Sequence, residues 1–191
     1  MLELNRRGIF LAAEWFAEYP NVPPHLFRPD AMYMVTASTQ GRQPLMAEAG
    51  RRRLLCLTLF EQACRLGWRL ATWAVLPNHY HFLAQAPQDP RTLHALIRSI
   101  HSVTAKALNR LDASPGRRVW QNYWDTCVTS EASYIARLHY IGMNPVRHGL
   151  VERPEDNPYS GYSRILLNSQ PEFMARVSAA PIDRIAVQDD F

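Results

Sequence analysis

Cysteine is scarce. The 191-residue chain has three, Cys56, Cys64 and Cys127, an odd number with no Cys-x-x-Cys spacing. That argues against a disulfide frame and against a cysteine-ligated zinc site, and leaves them as reduced packing residues. No apolar stretch approaches the roughly 20 residues that cross a bilayer. No basic start followed by an apolar run marks a secretory leader. Internal repeats and low-complexity segments are missing too. Lysine is rare, so arginine dominates the positive charge, as in Arg51-Arg52-Arg53 and Arg117-Arg118. The planar guanidinium suits forked contacts to phosphate.

What is present is the composition of a soluble globular protein, 47% hydrophobic and 20% charged. The length suits one domain with a sizeable core. A formal charge of +4 and a pI near 9.2 permit an anionic partner without demanding one.

Hydrophobic periodicity divides the chain into arm, fold and tail. Residues 1–30 form an N-terminal arm: a short amphipathic helix over 9–19, then Pro20, Pro23, Pro24 and Pro29, which break it. A strand is predicted over 32–39 and a helix over 47–66, closed by Gly67. On that helix Leu54, Leu57, Glu61 and Cys64 mark one line, and Leu55, Leu59 and Ala63 another. Strands over 68–76 and 79–86 flank the turn dipeptide Pro77-Asn78. Thr92 caps a helix to about 110, with Leu93, Leu96 or Ile97, Ile100, Val103 and Ala107 as its apolar stripe. Arg98, Ser102 and Lys106 line another face of it, either solvated or contacting phosphate. A basic turn ends at Arg117 and Arg118. A strand over 119–128 carries Trp120, Tyr123 and Trp124. Arginine beside aromatics suits single-stranded nucleic acid, although core packing is the commoner use of such rings. Ser130 caps a last helix that Pro145 is expected to stop near Met143, with Tyr134, Ile135, Leu138 and Ile141 buried. Residues 166–191 are a tail with a weak helical pattern. The order strand–helix–strand–strand–helix–strand–helix predicts an α+β fold: an antiparallel sheet with helices packed on one face, of ferredoxin-like type.

Two histidines carry the chemistry. In a strand, residues i and i+2 share a face, so His79 and His81 set two imidazoles side by side with Tyr80 turned away. Neutral imidazole is a common metal ligand; a solvated strand face is the plainer reading of the same pair. Tyr140 and Asn144 lie four apart on the last helix and face one way. If that helix packs beside the histidine strand, two imidazoles and an amide oxygen can hold Mg²⁺ or Mn²⁺. A phenol then stands next to the ion, placed to attack a phosphate in line.

Pro77-Asn78-His79-Tyr80-His81-Phe82 resembles the HUH motif (histidine, bulky hydrophobic, histidine) of single-tyrosine DNA endonucleases. Tyr140-Ile141-Gly142-Met143-Asn144-Pro145-Val146-Arg147-His148-Gly149-Leu150-Val151 resembles the tyrosine helix of REP-associated tyrosine transposases. Arg118-Val119-Trp120-Gln121-Asn122-Tyr123-Trp124-Asp125, Ser130-Glu131, Tyr134 and Pro158-Tyr159-Ser160 fit the same order. The likeness spans roughly residues 31–163, within a transposase domain set at 31–165. Tyr80 departs from it, since an aliphatic residue is frequent there, but it remains bulky and hydrophobic.

The resemblance implies a transposase or endonuclease that cuts and rejoins single-stranded DNA at hairpins of palindromic repeats. Tyr140 would be the nucleophile, forming a 5′-phosphotyrosine, and His79, His81 and Asn144 would bind Mg²⁺ or Mn²⁺. Arg98, Lys106, Arg117, Arg118, Arg147 and His148 are the candidate DNA contacts, and His139 is a structural residue or a further contact. A cytoplasmic, nucleoid-associated bacterial protein is expected, with no membrane partner, acting as a monomer with a dimer as the alternative. A DNA-binding protein of the same fold without cleavage is the second reading. An unrelated metallohydrolase would need further ligands, and Asp89, the nearest acid, lies in a loop at no useful spacing.

Overall fold

A computed structural model describes residues 29–182 and 185. The expected helix over 9–19 lies outside the described residues. The elements are β1 (Met32–Thr39), α1 (Ala49–Arg65), β2 (Arg69–Val75), β3 (His79–Gln85), α2 (Leu93–Leu111), β4 (Trp120–Cys127) and α3 (Glu131–Arg147). Two short helices follow, α4 (Tyr162–Asn168) and α5 (Pro171–Ala179). The strands form one antiparallel sheet in the order β2-β3-β1-β4, the ferredoxin-like arrangement. No helix among the described residues is long and apolar enough to cross a membrane.

The α+β class holds, but the helices divide between the two faces. Tyr33, Val35, Tyr80 and Phe82 pack with Leu55 and Leu59 of α1 and Leu96, Ile97 and Ile100 of α2. Met32, Met34, Ala74 and Leu83 pack with Tyr134, Ile135, Leu138 and Ile141 of α3, and with Met174 and Val177 of α5. The physical reason lies in β1 and β3. Both are buried at almost every position, so neither face of the central strands can be left to water. Each fully buried aliphatic side chain on α3 contributes roughly 1.5–3 kcal/mol over an exposed one.

Other departures have local causes. On α1 the line Leu55, Leu59, Ala63 is buried, and Leu57 of the rival line is exposed. On α2 the stripe continues through Thr104 and Leu108, while Val103 is exposed. Thr104 can take a core position because its hydroxyl donates to the Ile100 carbonyl (2.7 Å) and accepts from the Trp120 indole (2.9 Å). Thr92 makes no cap with its side chain; Asp89 accepts from the Arg91 N–H instead. Ser130 does cap α3, accepting from the Ser133 N–H at 3.2 Å. Pro145 does not stop that helix, which runs on to Arg147. Only one interior bond is forfeited, in the last turn. The end closes through the His148 N–H on the Asn144 carbonyl and the Leu150 N–H on the Pro145 carbonyl.

The outer edge of β2 is covered. The Val75 N–H donates to the Tyr159 carbonyl and the Gly161 N–H to the Trp73 carbonyl. The outer edge of β4 exposes Asn122, Trp124, Asp125 and Thr126.

A half-buried histidine stacked on the first core makes stability depend on pH. The His101 ring stacks on Trp120 (4.6 Å between centroids, 7° between planes). It accepts from the Tyr80 hydroxyl at 3.0 Å, since burial raises the Tyr80 phenol and keeps its proton in place. Burial also pushes the His101 pKa down from 6.5 to about 4. The unfolded chain therefore takes up this proton first as pH falls. The stabilisation is complete above about 6.5 and is lost progressively down to about 4, at a cost of about 3 kcal/mol. Thermal melts of His101→Phe should show a shallower loss of stability between pH 7 and pH 4.5 than wild type. An unchanged slope would mean that His101 contributes nothing to acid sensitivity.

Candidate active site

β3 presents His79 and His81 on the face that α3 covers, and Tyr80 on the other. The two imidazoles lie 5.0 Å apart between centroids, at 73°. Neither is solvated: His79, His81 and Asn144 are 0% exposed and Tyr140 is 1% exposed. That removes the solvated-face reading of the pair.

Each ring is held by a second polar group. His79 Nδ1 lies 2.7 Å from Asn78 Oδ1 and its Nε2 lies 2.9 Å from Asn144 Oδ1. His81 Nδ1 lies 2.8 Å from Thr36 Oγ1, directly across the β1–β3 ladder. The Asn78 turn is fixed in its own right, because its carbonyl accepts from both the Thr39 N–H and the Thr39 hydroxyl.

α3 packs across β2 and β3. It sets the Tyr140 ring edge-on to His81 at 5.4 Å, with Asn144 one turn further on against His79. The Tyr140 hydroxyl is buried and has no hydrogen-bond partner among the described residues. Arg147 lies over the phenol ring at 5.4 Å. The His148 ring stands 5.0 Å from that of His79. Arg147 is thus the last helical residue and His148 the cap, not loop residues beyond the helix end.

Burial is the main cause that lowers the His79 pKa to about 3, opposed by its hydrogen bond to Asn144 Oδ1, with His148 and Arg42 lowering it further. Burial likewise pushes His81 well below its usual value, followed by His79, His148 and Arg147. Both rings are neutral at physiological pH, which is the ligand form. A neutral His79 has one ring proton for two carboxamide oxygens. With the proton on Nδ1, the Nε2 lone pair is left facing Asn144 Oδ1 with no proton between them. Their 2.9 Å separation suits two adjacent ligands of an octahedral Mg²⁺, which stand about 3 Å apart when each bond is about 2.1 Å. The donor set therefore fits a small divalent ion. No cluster of three or more His, Cys, Asp or Glu with metal-binding geometry occurs among the described residues. The set is two imidazoles and a neutral amide, which leaves room for phosphate oxygens and water.

The six expected DNA contacts fall into separate groups. Arg147 and His148 lie at the histidine–tyrosine cluster. Arg98, Arg117 and Arg118 line a groove between α2 and the start of β4, together with His94 and Tyr123. α2 covers the Tyr80 face, so most of this groove is on the far side of the sheet from the histidines. Arg117 is engaged there by Asp112 at 2.6 Å and by Asn109. Lys106 is exposed on α2 outside that lining. His139 Nδ1–H donates to the Ala180 carbonyl at 2.8 Å and ties α3 to the segment after α5. Sequence reasoning missed Thr36 and gave Asn78 no role beyond the turn. Only the cross-strand register could have revealed Thr36, whereas adjacency to His79 already pointed to Asn78.

The class these features define is an α+β, antiparallel-sheet protein with a buried His-x-His strand facing a tyrosine helix. No family model matches the chain. It is nonetheless similar in sequence, over about half its length, to REP-associated tyrosine transposases. The protein of that name from Escherichia coli K12 is 26% identical over 98 residues, covering 51% of this chain and 56% of the relative. A Haemophilus influenzae protein assigned by name to the same family is 28% identical over 99 residues, covering 47% of this chain and 56% of the relative. The chain thus matches little more than half the length of these curated relatives. In fold it is similar to a REP-associated tyrosine transposase solved bound to a REP hairpin, with a TM-score of 0.66 at 18% identity, over 87% of this chain and 95% of that one.

Proposed function

We propose that this chain is a metal-dependent transposase that cleaves and rejoins single-stranded DNA at palindromic-repeat hairpins, with Tyr140 as nucleophile. The observation that carries the reading is the convergence of His79, His81, Asn144 and Tyr140 in one buried cluster. A binding-only protein of this fold has no need of a phenol and an amide set against paired imidazoles.

Tyr140 Oη attacks the phosphorus of the scissile phosphodiester and its phenolic proton is lost. The bond from phosphorus to the upstream 3′-oxygen breaks, and that oxygen takes up a proton. A 5′-phosphotyrosine and a free 3′-hydroxyl result, and attack by such a hydroxyl reverses the step. The ester is conserved, so no nucleotide triphosphate is consumed. His79, His81 and Asn144 would hold a Mg²⁺ or Mn²⁺ ion, which would supply Lewis-acid stabilisation of the charge that builds on the phosphate. Thr36 and Asn78 hold the two rings in orientation. Arg147 lies against the Tyr140 ring and His148 against His79, so both are placed to meet the phosphates of bound DNA.

The test is a denaturing gel with hairpin oligonucleotides from the host's own repeats, labelled at the 3′ end. Label should migrate with the protein when Mg²⁺ or Mn²⁺ is present, and the adduct should vanish with chelator. Hairpin binding without cleavage under any metal condition would favour the binding-only reading.

A further inference from the structure

The aromatic residues of β4 part company at Trp124. Trp120 is buried in the first core and Tyr123 packs against it. Trp124 turns to the opposite face and is 54% exposed. A single exposed apolar side chain is ordinary on a protein surface. The neighbours of this one are not.

The strand registers place Trp124 in a line that crosses the sheet. Ala74 opposes His81, His81 opposes Thr36, and Thr36 opposes Trp124. All four share one face. α3 covers the Ala74 and His81 end, and Trp124 stands at the open end. Two strand spacings separate it from His81, about 10 Å. A parallel line runs beside it: Ser38 opposes His79 and its hydroxyl donates to Gln121 Oε1 at 3.1 Å. A polar floor therefore leads from the histidines to the indole.

Positive charge borders the ring. Arg118 lines a small cavity with Gln40, Gln121, Asn122 and Trp124. It donates from Nε to the Trp120 carbonyl and, unlike Arg117, makes no ion pair among the described residues. Arg118, Gln121 and Asn122 also line the α2–β4 groove that holds Arg98. The two concavities thus form one surface around the edge strand. Asp125, the nearest acid in sequence, is paired with Val35 and alternates to the other face.

We propose that Trp124, flanked by Arg118 and Gln121, is a stacking subsite for the unpaired bases next to the phosphate that Tyr140 attacks. This rests on the function proposed above. A flat exposed ring beside a guanidinium suits single-stranded nucleic acid, because any base offers a face to stack and its phosphate an anion to pair. The polar floor and the Arg118 guanidinium fit a phosphodiester chain better than an apolar protein surface.

Binding is measured in a Tyr140→Phe background, so that cleavage does not intrude. The ligands are a blunt hairpin, the same hairpin with a short thymidine tail on either end, and the tailed hairpin with abasic tail positions. Trp124→Ala should weaken the thymidine-tailed complex about tenfold, the scale of one lost base–aromatic stack. Blunt and abasic-tailed hairpins should bind equally with and without the indole. Trp124→Phe should recover most of the loss, and melting temperatures should match.

Equal affinity of Trp124→Ala and its parent for the thymidine tail overturns the subsite. So does an equal loss on the abasic tail, which would make the contact to the backbone alone. If Trp124→Ala instead converts a dimer into a monomer and leaves tail affinity alone, the ring belongs to an interface between copies and the subsite is wrong. Tail binding that depends on Trp124 while the wild-type chain forms no adduct would spare the subsite and condemn the cleavage reading.

Discussion

Tyr140→Phe will abolish the covalent protein–DNA adduct and leave hairpin affinity within about threefold of wild type. The substitution removes one oxygen and keeps the ring that packs edge-on against His81 and beneath Arg147. The hydroxyl has no hydrogen-bond partner among the described residues. Its loss strands no donor or acceptor, so stability should change by less than about 0.5 kcal/mol. The combination is diagnostic. A destabilised variant loses activity for trivial reasons, but an intact and DNA-binding one loses it only if the oxygen itself reacts. Denaturing gels read the adduct, fluorescence anisotropy the affinity and urea titration the stability. An adduct that persists in the Phe variant places the nucleophile elsewhere.

Gly142→Ala will destabilise the protein by about 2 kcal/mol and slow adduct formation further, against the usual preference of a helix for alanine. Gly142 lies on α3 between Tyr140 and Asn144. A Cβ there would stand 2.2 Å from Tyr162 Cδ2 and 2.8 Å from its Cε2. The Tyr162 ring is buried in the second core and has little room to retreat. A Cβ built at the preceding Gly161 would itself stand about 3.0 Å from Thr72 and 3.1 Å from Trp73. The helix must move instead, and overpacking of this kind costs about 1–3 kcal/mol. Because α3 carries both Tyr140 and Asn144, its displacement shifts them against the histidines. Chemical denaturation gives the first quantity and adduct rates at full occupancy the second. Stability at or above wild type would show that α3 is free to adjust. The double variant Gly142→Ala/Tyr162→Leu should recover part of the loss, since the two sites share one contact.

Much of this was legible without coordinates. Strand alternation alone put His79 and His81 on one face, and helical spacing put Tyr140 and Asn144 on another. Turn and cap residues such as Gly67 and Ser130 marked where helices end and begin. What failed depended on packing that a linear pattern does not contain. β1 and β3 are buried on both faces and show no alternation, which fits two covered faces but does not say which helix lies on which side. Pro145 has the sequence signature of a helix stop, yet one bond forfeited in the last turn does not end the helix, and local backbone bonds close it beyond. Thr104 reads as polar, but its hydroxyl is satisfied within its own helix and by Trp120, which pulls it inward and leaves Val103 out. Thr36 is silent in sequence because its partner His81 is 45 positions away, joined only by register. Arg98, Arg117 and Arg118 cluster as the basic residues suggested, but on the α2 side of the sheet.

The most direct measurement is Mn²⁺ binding, followed by the electron paramagnetic resonance of the free ion, in wild type and in His81→Ala and Asn144→Leu variants shown to be folded by their melts. If the two imidazoles and the amide hold a divalent ion beside Tyr140, wild type takes up one ion per chain and each variant, having lost a ligand, binds more weakly by at least the about 10–100-fold that loss of a ligand's supporting partner costs. Variants that bind Mn²⁺ as tightly as wild type would contradict a metal at this cluster, and with it the chemistry assigned to the phenol.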